Sequence, residues 1–128
     1  MIDYATAGDL LDRLADAWAR FDGDDWVALF TDDVVDRRDP FEAPLVGHNA
    51  VRSELLAMAE AQEQVELTWE RHWVVEPTIL AAWHMGFVDR RTHDRVTVAG
   101  FVTLEIAGDG RIERARWWTE RRVIPAGG

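Results

Sequence analysis

The sequence predicts an α+β fold, a curved antiparallel sheet wrapped around three N-terminal helices to form a cone. Three observations predict it. Apolar residues recur at helical spacing through the first half of the chain, apart from one short Pro-rich hairpin. They then switch to a period of two. Clusters of Gly, Pro and Asp punctuate the runs. The 128 residues make one domain, 1–128, large enough to bury a core and too short for two.

Each element follows in order. Thr6, with Asp9 three residues later, reads as a helix N-cap with a first-turn acid. Leu11, Leu14, Trp18 and Phe21 then lie on one helical face. "DGDD" (22–25) breaks this helix and caps a short second one carrying Trp26, Leu29 and Phe30. "TDDVVDRRDPFEAPLVG" (31–47) reads as strand, turn, strand, with Val35, Arg37 and Asp39 on one face. Pro40 and Pro44 confine it to a sheet edge or irregular hairpin. A third helix carries Val51, Leu55 and Met58. Four strands complete the chain as a meander: "QVELTWERHWVVE", "TILAAWHMGFV" (78–88), "VTVAGFVTLEI" (96–106) and "RIERARWWTERRVI" (111–124). "AGDG" forms the last hairpin turn.

Composition excludes several function classes. With no cysteine there is no disulfide, thiolate metal site or Cys nucleophile. All 14 basic residues are arginine, so Lys-based Schiff-base chemistry and a P-loop are excluded. The formal charge is −10. Residues 1–64 hold 15 acidic and 5 basic side chains, and residues 65–128 hold 9 of each. Such a surface repels nucleic acid and anionic lipid, so neither is an expected partner. No run is long enough to span a membrane. The start "MIDYATAGDL" lacks the features of a signal peptide, which places the chain in the cytoplasm. No spacing such as His-x-x-x-His occurs, and no metal site is expected.

Three stretches carry a resemblance. "WVALFTDDVVDRRDPFEAPLVGHNAVRSEL" is similar to a pattern of short helix, acidic turn, strand with Asp-Pro, and Gly opening a third helix. "VTVAGFVTLEIAGDGRI" and "RIERARWWTE" are similar to the last two strands of the same pattern. Together with the order α-α-ββ-α-ββββ, they resemble the nuclear-transport-factor-2-like superfamily and its SnoaL-like branch. The resemblance covers nearly the whole chain. It implies a cone-shaped fold and a small-molecule pocket. It also implies cofactor-independent isomerase, cyclase or dehydratase chemistry on a small apolar carbonyl compound, polyketide-like or steroid-like. The alternatives are a non-catalytic module binding an apolar or carboxylate-bearing ligand, and a dimerising scaffold with a filled cone.

Period-two parity, guided by that topology, gives the expected interior. Asp39 is its candidate general base, and Arg37 or Arg71 would steady a developing oxyanion. Asp39 has two structural readings beside this, a buried Asp–Arg pair or an Asx-type turn bond at Pro40. Trp18, Trp26, Trp69, Trp83, Met85, Phe87, Val98, Trp117 and Thr119 are the remaining expected ligand-binding residues. Seven tryptophans in so short a chain favour an apolar pocket wall. Family members resembling epoxide hydrolases carry an Arg and an Asp on the strand matching 78–88 and a second Asp on the last strand. Here Trp83, Met85 and Trp117 stand there. The steroid-isomerase pattern needs a Tyr donor, and the only tyrosine is Tyr4, outside the expected core. His72 and His84 are expected on the outer sheet face, His48 and His93 in solvent. Leu80, Ala82, Val88, Ala99, Phe101 and Trp118 make that outer face apolar too, and a twofold homodimer through it is expected.

Overall fold

The computed structural model describes residues 2–127. Three helices, α1 (Tyr4–Arg20), α2 (Gly23–Val27) and α3 (His48–Ala61), lie against one face of a six-stranded sheet. The strands are β1 (Phe30–Arg37), β2 (Leu45–Val46), β3 (Gln62–Val75), β4 (Thr78–Asp89), β5 (Arg95–Ile106) and β6 (Ile112–Ile124). Their order is β2-β1-β6-β5-β4-β3. All pairs are antiparallel except β1 with β6, which is parallel, so the sheet is mixed rather than wholly antiparallel. Helix α3 supplies the connection that carries the chain from the β1–β2 hairpin to the far edge at β3.

Helices α1 and α2 begin where acidic side chains meet free backbone N–H groups, while α3 begins at Gly47 without a side-chain cap. Asp3, not Thr6, is the N-cap of α1, and its carboxylate accepts from Thr6 N at 2.8 Å. Asp22 caps α2 by accepting from Asp25 N at 3.0 Å. Helix α1 buries Leu10, Leu11, Leu14, Ala17 and Trp18 against the inner sheet face. From the sheet come Ile79, Trp83, Met85, Val98, Val102, Leu104, Ile112 and Trp117. Burying each large apolar side chain contributes about 1.5–3 kcal/mol.

Two irregularities overturn the expected parity. In β1, the register against β6 shifts between Phe30 and Val35. Val34 and Asp36 are buried, while Val35 and Arg37 lie on the other side. Arg37 and Asp39 therefore do not enter the cone, whereas Asp36 and Arg38 do. The pair Val34–Val35 is apolar at both parities, so alternation alone could not choose between them. In β3, a bulge between Trp69 and Arg71 leaves Glu70 unpaired. Trp69 stays inside and its indole N–H donates to Leu11 O at 2.7 Å. Beyond the bulge the faces exchange. Arg71 and Trp73 move to the outer face, and His72 turns inward, stacks on Tyr4 at 3.9 Å and donates to Tyr4 O at 3.1 Å.

The outer face carries Trp73, Phe101 and Trp118 in a row, with centroid spacings of 6.1 and 6.5 Å. His84 is on this face, as expected, 2.9 Å from Glu70 Oε1. His93 is exposed, but His48 is only partly so, and its Nε2 donates to Phe30 O at 2.8 Å. No helix among the described residues is long and apolar enough to cross a membrane.

Candidate functional site

The interior is organised around one ion pair. Parallel pairing sets Asp36 beside Ala115, next but one to Trp117 on the same inner face of β6. Asp36 is fully buried. Its Oδ1 accepts from Trp117 Nε1 at 2.9 Å, and its Oδ2 accepts from Arg38 Nε at 2.7 Å. A carboxylate this deep is tolerable only when so partnered.

Arg38 continues from that contact into a cage of indoles. Its guanidinium carbon lies 5.4, 5.9 and 5.1 Å from the ring centres of Trp18, Trp26 and Trp117. These distances are in the range of cation–π attraction. Trp83 completes the cluster, edge-on to Trp117 at 5.6 Å. It packs against Gly100, where a Cβ would overlap the Trp118 carbonyl and come within 2.7 Å of the Trp83 ring. That close approach explains the glycine.

A pocket of about 300 Å³ opens over this cluster. Its apolar wall is Trp18, Met58, Trp83, Met85, Val98 and Trp117, and its polar groups are Arg38, Glu54, Gln62, Thr119 and Arg121. Arg38 has only one-fifth of its side chain exposed, and its Nη2 is buried without an acceptor. The indole N–H groups of Trp18 and Trp83 likewise lack acceptors. Gln62 Oε1 is a buried acceptor without a donor. Glu54 is half-buried and, among the described residues, makes no ion pair. The wall is therefore apolar, with unpartnered donors buried in it and one unpaired carboxylate at its side.

Of the residues expected from the sequence, Trp18, Trp83, Met85, Val98, Trp117 and Thr119 come together around this pocket. Trp26 is buried beneath Arg38, Trp69 is tied to α1, and Phe87 lies under Arg121 at 5.6 Å. None of these three lines it. Arg71 is on the outer face, 5.0 Å over Trp73. Arg37 donates from Nη1 to Glu42 O at 2.9 Å. Asp39 is exposed and accepts from Phe41 N at 2.8 Å, an Asx-type turn. Sequence reasoning missed Asp36, Arg38, Glu54, Gln62 and Arg121. Glu54 had a usable signal, because it stands four residues before Met58 and so on the same flank of α3.

Comparison with known proteins agrees with this fold. Three solved structures illustrate the fold. An LEH-like epoxide hydrolase from Mycobacterium tuberculosis superposes with a TM-score of 0.75 at 20% identity, covering 91% of this chain and 84% of that one. SalBIII, an epoxide hydrolase/cyclase-like enzyme of pyran ring formation in the polyether salinomycin, gives 0.83 at 15% identity, covering 96% and 99%. A protein of ketosteroid isomerase-like fold from Catenulispora acidiphila, in complex with trimethylamine, gives 0.78 at 14% identity, covering 86% and 84%. At these identities the likeness is one of fold. Among curated proteins none matches. The model of the SnoaL-like domain matches residues 11–115, most of the chain, and the protein belongs to the SnoaL-like domain family.

Proposed function

We propose that the cone takes a small apolar carbonyl compound and moves a proton at the carbon beside its carbonyl, without a cofactor. The observation that carries this reading is the placement on one apolar pocket of a guanidinium with an unpartnered Nη2 and of an unpaired carboxylate. Arg38 receives the carbonyl oxygen and stabilises the enolate that forms there. Glu54 accepts the proton from the α-carbon and returns it, to the same carbon or to another, which is the elementary step of an isomerase. Asp36 and Trp117 act as positioning residues, because they fix the guanidinium that meets the oxygen. The role of base passes from Asp39 to Glu54 because Asp39 lies outside the cone.

The probe is 2-acetonaphthone, an apolar ring system with one carbonyl and exchangeable α-protons. Incubated with the protein in D2O, its methyl proton signal is expected to decay faster than in buffer, by about 10²-fold or more for one positioned base. Glu54→Gln is expected to remove the acceleration while the ketone still quenches tryptophan fluorescence. A specific observation favours a second reading. Asp36, the deepest carboxylate, already accepts a bond on each oxygen and does not line the pocket, so it is not placed to serve as a base. If the wild-type protein binds the ketone without accelerating exchange, the cone is a binding module.

A further inference from the structure

The pocket over Arg38 has a neighbour. A second cavity of about 440 Å³ lies beside it, around the free edge of β6, lined by Asp39, Pro40 and Phe41 of the loop and by Phe101 and Trp118 of the outer sheet face among others. Three residues, Arg38, Trp117 and Thr119, line both. The reason lies in the strand pairing. β1 is paired with β6 only as far as Arg37 opposite Arg116, yet β6 runs on to Ile124 with β5 as its sole partner. From Arg38 onward the chain leaves the sheet, and the residues up to Pro44 form a loop beside the unpaired part of β6. Arg38 is thus a shared wall between the cone and the space under this loop.

The loop is shaped rather than slack. Asp39 accepts from Phe41 N at 2.8 Å through its carboxylate and from Glu42 N at 3.2 Å through its carbonyl. Arg37 ties Glu42 O at 2.9 Å. Together they hold Phe41 outward, 94% exposed, at the border of the second cavity. An aromatic ring held this way at a cavity edge presents a face for another apolar group.

We propose that the ligand class is a ketone with an apolar arm on each side of its carbonyl. One arm enters the cone, the carbonyl oxygen meets Arg38, and the other arm lies under the 38–44 loop against Phe41. This rests on the reading of Arg38 given above and adds a second subsite to it. The residues first singled out in the sequence, Arg37 and Asp39, then shape that subsite.

Two ketones separate the claims. 2-Acetonaphthone has one arm, and phenyl 2-naphthyl ketone has the same ring and carbonyl with a second arm. Binding of each is titrated by tryptophan fluorescence. The diaryl ketone is expected to bind at least about tenfold more tightly, the return for burying one further ring. Phe41→Ala, a change at an exposed position, is expected to remove most of that gain and leave the methyl ketone unchanged. Equal affinity for the two ketones in the wild-type protein overturns the second subsite while the Arg38 reading stands. So does a Phe41→Ala effect that is absent or is the same for both. Failure of both ketones to bind overturns the Arg38 reading and the subsite with it.

Discussion

Asp36 shows how one residue can govern a site it need not contact. It gives one oxygen to Trp117 and the other to Arg38, and no surface to solvent. Removing its carboxylate would strand the Trp117 indole N–H and leave Arg38 held only by the indoles around it. Breaking one side of a buried ion pair usually costs about 3–5 kcal/mol. Asp36→Ala should therefore lower stability by about that much in urea denaturation, because the carboxylate is fully buried, Trp117 is buried and only one-fifth of the Arg38 side chain is exposed. Asp39→Ala, at an exposed turn, should cost far less. If the two variants unfold at the same urea concentration, the assignment of Asp36 as the central buried acid is wrong. Little of this was legible in the sequence. A Val-Val pair hides strand parity, and the bulge that resolves it comes from pairing with β6, nearly eighty residues away in the chain. Trp18, on a helical face, and Trp83, Met85, Val98 and Trp117, on clean alternation, were legible because large apolar side chains at a regular period have only one place to go.

Among the elements, the starts of α1 and α2 depend on ionised carboxylates. Asp3 is held below its ordinary value by the Thr6 backbone N–H, and Asp22 by the Asp25 backbone N–H. Asp16 is lowered by the guanidinium of Arg20, which also reaches Asp22 and Asp25 at 3.1 and 2.8 Å. A carboxyl group lowered in the folded state adds stability above its unfolded value, here 3.8, and loses it as pH falls through the lower folded value. Stability should therefore be flat with respect to these groups near neutrality and decline below about pH 4. Asp22→Asn keeps a capping oxygen but does not titrate. It should shrink the acid-induced loss seen in thermal melts between pH 5 and pH 2, and an unchanged loss would contradict the cap's part in it. The helices and the four long strands were legible from period alone. The β3 bulge was not, since Arg71, His72 and Trp73 fit either face by chemistry, and only the pairing with β4 shows where the count slips.

Across the whole molecule, charge and apolar surface are divided unevenly. The helical first half carries the whole net charge of −10, and the sheet-rich second half is neutral. The outer sheet face combines the Trp73–Phe101–Trp118 row with arginines stacked over both tryptophans, Arg71 at 5.0 Å and Arg116 at 5.2 Å. Trp73 and Trp118 are each 37% exposed. We propose that this face meets the same face of a second copy, because apolar area of this kind is usually covered. Light scattering at micromolar concentration should give twice the 14.6 kDa chain mass, and Trp118→Glu should return it to the single-chain value. A monomeric wild-type mass would refute the pairing. The central claim concerns the interior, and one measurement bears on it most directly. The rate of α-proton exchange of 2-acetonaphthone in D2O is measured with the wild-type protein, Glu54→Gln and Arg38→Lys, the last keeping a cation beside Asp36 while losing the guanidinium fork. The account predicts acceleration by the wild-type protein alone, with the ketone still bound by Glu54→Gln and bound more weakly by Arg38→Lys. Exchange that is equally fast in all three proteins would contradict it.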